Sequence, residues 1–433
     1  MALQALRGTS DILPDTIMRW SAVEHTVRRF ARLYGYQEVR TPVIEDVALF
    51  LRSVGETTDI VQKEMFRFED RGGHEIVLRP EGTASVVRAY LEGNLHKTEG
   101  FSKLFYLGPM FRAERPQAGR FRQFHQFGVE AIGSRSPWVD AEVIALCVET
   151  LKTCGVSQLM VLVSSMGCRD DQARSAEKLR ERFASLKTKL CKECQARFEK
   201  NVFRVLDCKN PGCYASGMVM RADAEIGARS GESPFLLCEG CRQHFDEVRR
   251  GLTIAGVAFD DTQVFVRGLD YYTRTVFEVR AKGLGSQDAV AAGGRYDHLV
   301  EDLGGPPTGA VGFAAGIERL LMARTDASSN GAPPRRGLYL AVAQAGLAPE
   351  GFRWVQQLRS QGVPALMDYD GKSLKAQLRE ADKARCRFVA ILGEVELKQR
   401  AITLKDLEQS SQRTVAFDTF VDEVAQQTKV ACS

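Results

Sequence analysis

Apolar residues recur along the early part of the chain with two different periods. Trp20, Val23, Val27, Phe30, Ala31 and Tyr34 fall at helical spacing between Arg19 and Tyr34, and Gly35 follows as a stop, which predicts an amphipathic helix. Gln37 to Val43 reads as a short strand interrupted by Pro42. Glu64 to Glu69 alternates, Asp70-Arg71-Gly72-Gly73 makes a turn, and His74 to Leu78 returns, the pattern of a hairpin. Pro80 then opens a helix from Glu81 to Tyr90. Lys103 to Arg112 is apolar and extended, Ala113 to Gly119 is a loop, and Arg120 to Ile132 is extended again, giving a second hairpin with a long loop.

The pattern changes further on. Residues about 170–260 carry many charges and hold six of the eleven cysteines, so they read as a small module inserted in a larger domain that spans 1–325. Strand patterns resume near Val264. Residues 326–336, with paired serines, paired prolines and Asn330-Gly331, form a linker by composition. Beyond it, strand (Leu338 to Val342), helix (Pro349 to Gln361), strand (Ala365 to Asp368), helix (Ser373 to Ala384) and strand (Phe388 to Leu392) alternate. That order predicts a separate α/β domain over 337–433 with a largely parallel sheet.

Composition bounds this picture without sharpening it. A length of 433 residues suggests two or three domains. A hydrophobic share of 44% supports true cores and excludes disorder as the dominant state. The net charge of only +4 gives no bulk argument for nucleic-acid binding, so any RNA contact must come from local basic groups. The start lacks the apolar core of a signal peptide, and no apolar stretch approaches a membrane span, so a cytoplasmic protein is expected. In that compartment the cysteines read as metal ligands or buried thiols rather than disulfides. Cys191-x2-Cys194 and Cys238-x2-Cys241 have the spacing of two zinc knuckles and predict one structural zinc, with Cys208 and Cys213 as alternative ligands and free thiols as the competing reading.

The most informative stretch is the second hairpin. Arg112, Arg115, Arg120 and Arg122 cluster at its tip, and arginine's planar fork suits phosphate oxygens. Strand alternation places Arg122, Phe124, Gln126, Gly128 and Glu130 on one face. A core face would not carry Arg, Gln and Glu, and a solvated face rarely carries Phe. Phe124 to Glu130 spans roughly 20 Å at about 3.3 Å per residue. The face suits an extended two-part ligand: a base stacked at one end, a cation or polar ring held at the other, and phosphates between.

At this point the residues resemble a known family. GPMFRAERPQAGRFRQFHQFGVE (108–130) resembles motif 2 of the class II aminoacyl-tRNA synthetases in its histidyl-tRNA synthetase form. YGYQEVRTPVIED (34–46) is similar to motif 1 and GFAAGIERL (312–320) to motif 3. VRGLDYYTRTVFE (266–278) and AAGGRYDHLVEDLGG (291–305) are similar to segments typical of the histidyl family, and LRPEGT (78–83) also matches. The resemblance covers nearly the whole chain. It implies an α+β catalytic domain on an antiparallel sheet, a C-terminal α/β domain that binds the anticodon, and a homodimer with motif 1 at its interface.

The resemblance also implies roles, which are expectations here. Arg112 and Arg267 would grip the ATP α-phosphate, and Arg319 would contact the γ-phosphate and pack on adenine opposite Phe124. Glu114 and Arg120 would contact the nucleotide. Glu81, Thr83 and Gln126 would hold the α-amino group of histidine, while Glu130 and Tyr272, with Tyr271 beside it, would contact the imidazole. Glu81 also has a plainer reading as a partner of a helix N-terminus. Gly293-Gly294 and Gly304-Gly305 read equally as turns or, by the resemblance, as points of close backbone approach to the substrate. His125 points away from Gln126 and is expected to be packed or exposed. Magnesium would arrive with the ATP phosphates. The implied activity is the joining of histidine to tRNA(His). The rival is a synthetase-like regulatory protein that binds histidine or tRNA without charging it.

Overall fold

The structure, a computed structural model, describes residues 3–428 apart from 56–57, 118, 209, 211, 214–234, 264, 266–268, 283, 285–287 and 325–334. Arg267 and most of the expected linker 326–336 therefore lie outside the described residues. The chain divides into two compact units, Met1–Ala327 and Ser328–Ser433.

The first unit opens with the helix Pro14–Leu33. It starts earlier than the apolar spacing predicts, because Pro14 fits the first turn, where a missing N–H is no loss. Trp20, Val23, Val27 and Ala31 form its buried stripe, and Gly35, at φ +81, supplies the left-handed residue that ends it. The expected strand over Gln37 to Val43 is shorter and divided. Only β1 (Gln37–Glu38) and β2 (Ile44–Asp46) pair, and they belong to different sheets. Pro42 between them has no N–H to donate to a ladder. The first hairpin forms as predicted from β3 (Phe66–Glu69) and β4 (Glu75–Leu78), and β2 joins it in a three-stranded sheet.

A seven-stranded sheet dominates this unit. It comprises β1, β5 (Ser102–Phe111), β6 (Gln123–Ile132), β7 (Leu159–Ser165), β8 (Thr273–Ala281), β9 (Ala289–Arg295) and β10 (Ala310–Gly316), in the order β1-β5-β6-β10-β9-β8-β7. Only β1 and β5 run parallel; the other pairs are antiparallel, as the resemblance implies. One face packs on helices: Phe127, Val129 and Ala131 of β6 and Val311, Phe313 and Ala315 of β10 share a core with Trp20, Val23, Ile144 and Leu151. Each fully buried Val, Leu, Ile or Phe side chain of this kind contributes about 1.5–3 kcal/mol. Alternation then leaves Phe124, Gln126, Gly128 and Glu130 on the opposite face.

The inserted segment is helical in its described parts, with helices Arg169–Ala184, Lys192–Lys200 and Glu239–Ile254. Its own core is small, built on Leu179, Phe183, Leu190, Val202, Val205 and Leu206. Helix Glu239–Ile254 sends Val248 and Leu252 into the main core instead.

In the second unit, β11 (Leu338–Val342), β12 (Ala365–Met367) and β13 (Phe388–Leu392) are parallel, as predicted. The sheet is nonetheless mixed, because β14 (Ala401–Asp406) and β15 (Ser411–Ala416) add an antiparallel hairpin at one edge. Along β15 only Val415 is buried, so its sequence carries no alternation to read. Leu338, Leu340 and Val342 face one core and Tyr339 and Ala341 another, which explains the continuous apolar run of a strand covered on both faces.

Candidate active site

A cavity of about 310 Å³ lies against the face of the seven-stranded sheet that carries Phe124 and Gln126. Glu81, Thr83, Gln126, Tyr271 and Tyr272 line one part of it. Arg112, Glu114, Arg120, Phe124 and Arg319 line the rest. Glu130 is close by but fully buried beneath the wall.

The sheet makes room for this cavity by giving up side chains. Gly312 of β10 pairs with Glu130 on one side and Gly294 of β9 on the other. A Cβ at Gly312 would lie 1.9 Å from Glu130 Oε2, so only glycine lets the carboxylate reach the cavity floor there. A Cβ at Gly294 would lie 2.8 Å from Cδ1 of Tyr272, whose ring rests on the strand. Gly293 and Gly294 are not turn residues: they lie inside β9, where Phe313 and Tyr272 leave no room for a Cβ, whereas Gly304, at φ +93, has the conformation of a turn residue.

At the polar end, two carboxylates meet around Thr83. Glu81 accepts the backbone N–H groups of Thr83 and Ala84 at 2.8 and 2.9 Å, so it does cap the helix Thr83–Glu92 while lining the cavity. Burial pushes its carboxyl upward against those two bonds and the Arg112 charge, which pull it down. The Thr83 hydroxyl donates to Glu130 Oε1 at 2.7 Å, and the Tyr296 hydroxyl donates to Oε2. Burial lifts the Glu130 carboxyl to about 8; the Tyr296 and Thr83 bonds oppose the shift and the neighbouring Glu81 adds to it. Tyr271 packs between Tyr272 and Tyr296, with ring centroids at 4.8 and 5.7 Å. The Gln126 Oε1 atom is shielded from solvent without a hydrogen-bond partner among the described residues, which marks a place for a ligand donor.

The other end is cationic. The Arg112 guanidinium lies 5.4 Å from the centroid of the Phe124 ring, and its Nε donates to the Pro80 carbonyl at 3.0 Å. Arg120 pairs with Glu114 at 2.6 Å, and Arg112 reaches the same carboxylate at 3.8 Å. Burial and the nearby charge of Arg120 both hold the Arg319 guanidinium below its usual range. Like charges gathered in a half-buried cleft suit a polyanion.

Sequence reasoning overlooked three residues here: Tyr296, Gly312 and Glu318. Tyr296 and Gly312 lie within the runs that carry the resemblance, so their positions were signalled although their roles were not. Glu318 lines the cavity and binds His125 through its backbone N–H at 2.9 Å and its ring Nδ1 at 3.1 Å. His125 is packed edge-on against Trp20, off the cavity side, as expected.

The predicted zinc set of Cys191, Cys194, Cys238 and Cys241 is corrected by the fold, since the two C-x2-C pairs belong to different clusters. Cys191 and Cys194 gather with Cys208 and Cys213, with the four sulfurs within 4.8 Å of one another. Cys238 and Cys241 gather with Cys168 and Asp171 within the same limit. The reason is topological. The short turn Val202–Asp207 folds the chain back onto the start of helix Lys192–Lys200, whereas Cys238 opens a helix that packs on the main core.

An antiparallel sheet with an arginine-tipped hairpin running from a cationic, aromatic-walled cleft to a buried carboxylate defines the catalytic domain of a class II aminoacyl-tRNA synthetase. Residues 8–320 match the histidyl-tRNA synthetase family, and residues 340–427 match the anticodon binding domain. The chain belongs to the histidyl-tRNA synthetase family. It is 47% identical over 425 residues to the histidine–tRNA ligase of Desulfitobacterium hafniense, covering 98% of each chain. It is 46% identical over 417 residues to that of Pelotomaculum thermopropionicum, covering 95% of each. Among solved structures, apo Staphylococcus aureus histidyl-tRNA synthetase superposes with a TM-score of 0.80 at 30% identity, over 98% of this chain and 100% of that one.

Proposed function

We infer that this cavity is where the chain, a histidine–tRNA ligase, activates histidine with ATP and passes it to tRNA(His). The observation that carries this is the single strand face of β6. Phe124, beside Arg112, stands at one end, and Glu130, held by Thr83 and Tyr296, stands at the other. Adenine stacks on Phe124, with Arg319 on its other side and on the γ-phosphate. Arg112 and Arg267 take the α-phosphate, and Glu114 and Arg120 contact the nucleotide. Glu81, Thr83 and the Gln126 Oε1 atom receive the α-ammonium group. Glu130 and Tyr272, with Tyr271 beside it, address the imidazole.

In the first step a histidine carboxylate oxygen attacks the α-phosphorus, the bond to the β-phosphate breaks and pyrophosphate leaves. Two anions must approach each other, so fixed guanidinium charge lowers the barrier, and positioning does the rest. In the second step a ribose hydroxyl of the terminal adenosine attacks the histidyl carbonyl. Its proton goes to a phosphate oxygen of the adenylate and AMP departs. Magnesium enters bound to the ATP phosphates, since it favours oxygen ligands and keeps most of its water.

The chain acts in the cytoplasm as a homodimer. Motif 1 lies at the interface, where half-exposed Ile44 offers apolar surface. The second unit reads the anticodon, and Arg115 and Gln117 meet the acceptor end. Cys191, Cys194, Cys208 and Cys213 hold a structural zinc away from the chemistry; four thiolates suit that ion and a tetrahedral shell.

The test is charging of tRNA(His) with labelled histidine and ATP. Charging that requires all three supports the assignment. Tight histidine binding without charging by folded protein contradicts it and favours a regulatory protein.

A further inference from the structure

We propose that Cys168, Asp171, Cys238 and Cys241 form a second zinc site, separate from the cysteine quartet, that clips the neck of the inserted module. Cys168 stands where the chain leaves the seven-stranded sheet, just after β7, and is the N-cap of helix Arg169–Ala184. Cys238 stands where the chain comes back, as the N-cap of helix Glu239–Ile254. The part of the insertion that carries its own small core lies between them. Two helix starts face each other there, one carrying Cys-x2-Cys and the other Cys-x2-Asp. Asp171 occupies the register of a second knuckle cysteine.

The four ligand atoms lie within 4.8 Å of one another. A tetrahedral zinc with bonds of about 2.3 Å brings sulfurs to about 3.8 Å, a contraction that side-chain rotation supplies. Three soft thiolates and one carboxylate are a zinc donor set, and they exclude magnesium and calcium, which want oxygen throughout. Asp171 and Cys241 are buried, while Cys168 and Cys238 are half-buried, so the site is largely enclosed.

Helix capping explains part of this arrangement and leaves the rest. Asp171 accepts the backbone N–H of Cys238 at 3.0 Å and of Cys168 at 3.3 Å, and it pairs with Arg174. A carboxylate has lone pairs enough to accept these bonds and ligate as well. Capping accounts for Cys168, whose sulfur accepts the Asp171 backbone N–H, but gives no reason for the Cys238 and Cys241 thiols to converge on the same point. Arg174 and the two helix N-termini offset the excess negative charge of the ligand set.

The module needs such a clip. Its private core is small, and small cores are commonly stapled by metals. Closing the two ends of a long insertion removes loop entropy that its own contacts must otherwise overcome. The clip also reaches the cavity, because Gln172, next to Asp171, donates to the Tyr272 carbonyl at 3.0 Å. The zinc is thus a positioning element and takes no part in the reaction.

The experiment is metal counting by native mass spectrometry on the full chain, purified from zinc-supplemented cells, with Cys238→Ala and Cys208→Ala beside it. Two zinc ions per chain in the unmodified protein, falling to one in each variant, is the expected result. One zinc per chain that Cys208→Ala removes and Cys238→Ala leaves overturns the neck site and keeps the quartet. No zinc overturns both. Cobalt titration of the metal-stripped unmodified chain covers the case in which a variant fails to fold. A break at two equivalents, with two distinct thiolate–cobalt spectra, supports the neck site, and a break at one equivalent overturns it. With the neck site lost, the KM for histidine rises several-fold through Tyr272 while the KM for ATP holds; equal movement of both overturns the link to Tyr272.

Discussion

Thr83 stands between two buried carboxylates: its backbone N–H donates to Glu81 at 2.8 Å and its hydroxyl to Glu130 at 2.7 Å. One residue at the start of a helix thereby fixes the spacing between the ammonium end and the imidazole end of the proposed histidine site. Both carboxylates are shut away from solvent, with Glu81 4% and Glu130 0% exposed. Neither can lose a partner without consequence.

Thr83→Val keeps the shape and removes the hydroxyl. The buried Glu130 carboxyl oxygen then lacks one donor, so urea denaturation is expected to show a loss of about 1–3 kcal/mol. The KM for histidine rises with it, and Thr83→Ser restores most of both. A Val variant equal to the parent in stability and KM contradicts this role.

Glu130 predicts a pH dependence. Its carboxyl is lifted from the ordinary 4.5 to about 8, so between those values the folded protein holds a proton that the unfolded chain has lost. Ligand-free stability therefore falls as pH rises through that window, by at most about 1.4 kcal/mol per pH unit from this group. Glu130→Gln removes this group's share of the slope, leaving that of the likewise raised Glu81, and weakens histidine binding. Thermal unfolding from pH 5 to 9 checks both chains, and parallel curves contradict the assignment.

Arg112→Ala is expected to lower the rate of adenylate formation roughly 10²- to 10³-fold, the scale of losing a donor aimed at transition-state charge. Histidine affinity should change little. Arg267→Ala should behave alike, on the strength of the family motif alone. Single-turnover kinetics separate rate from affinity, and equal losses in both contradict a transition-state role.

Arg295 and Asp140 form a fully buried ion pair, with Arg295 also bound to Asp297 at 3.0 Å. Burial pushes the Asp140 carboxyl up, but the Arg295 charge wins and holds it below the usual range. The pair therefore stabilises at neutral pH, and that contribution is lost as pH falls through the depressed value. Asp140→Ala takes from the buried Arg295 its closest counter-charge and leaves Asp297 as its remaining carboxylate, so it should cost up to about 3–5 kcal/mol in denaturant unfolding. A loss under 1 kcal/mol contradicts it.

Much of the site was legible because β6 alternates strictly. Phe124, Gln126 and Glu130 fall on one face by period alone, and the arginines sit at the hairpin tip. Gly312 and Tyr296 were not legible in that way. Their importance comes from the register of β10 beside β6 and from a hydroxyl that crosses to Glu130, and neither leaves a local pattern. The cysteines failed for a related reason. Cys-x2-Cys spacing identifies a knuckle but not its partner, and the partner depends on where the chain turns back. Asp171 was hidden because an acid near a helix start reads as a cap, which it also is. In the edge hairpin, exposed β15 has little hydrophobic contrast to read, whereas β14 alternates, with Ile402 and Leu404 buried, and was legible.

Histidine-dependent exchange of labelled pyrophosphate into ATP tests the central claim most directly. Exchange with L-histidine, and a rate lower by about 10⁴-fold or more with phenylalanine, is predicted, because a site built of Glu130 and tyrosine hydroxyls leaves its polar groups unpaired against an apolar ring. Folded protein that binds histidine without exchange, or that exchanges equally well with phenylalanine, contradicts it.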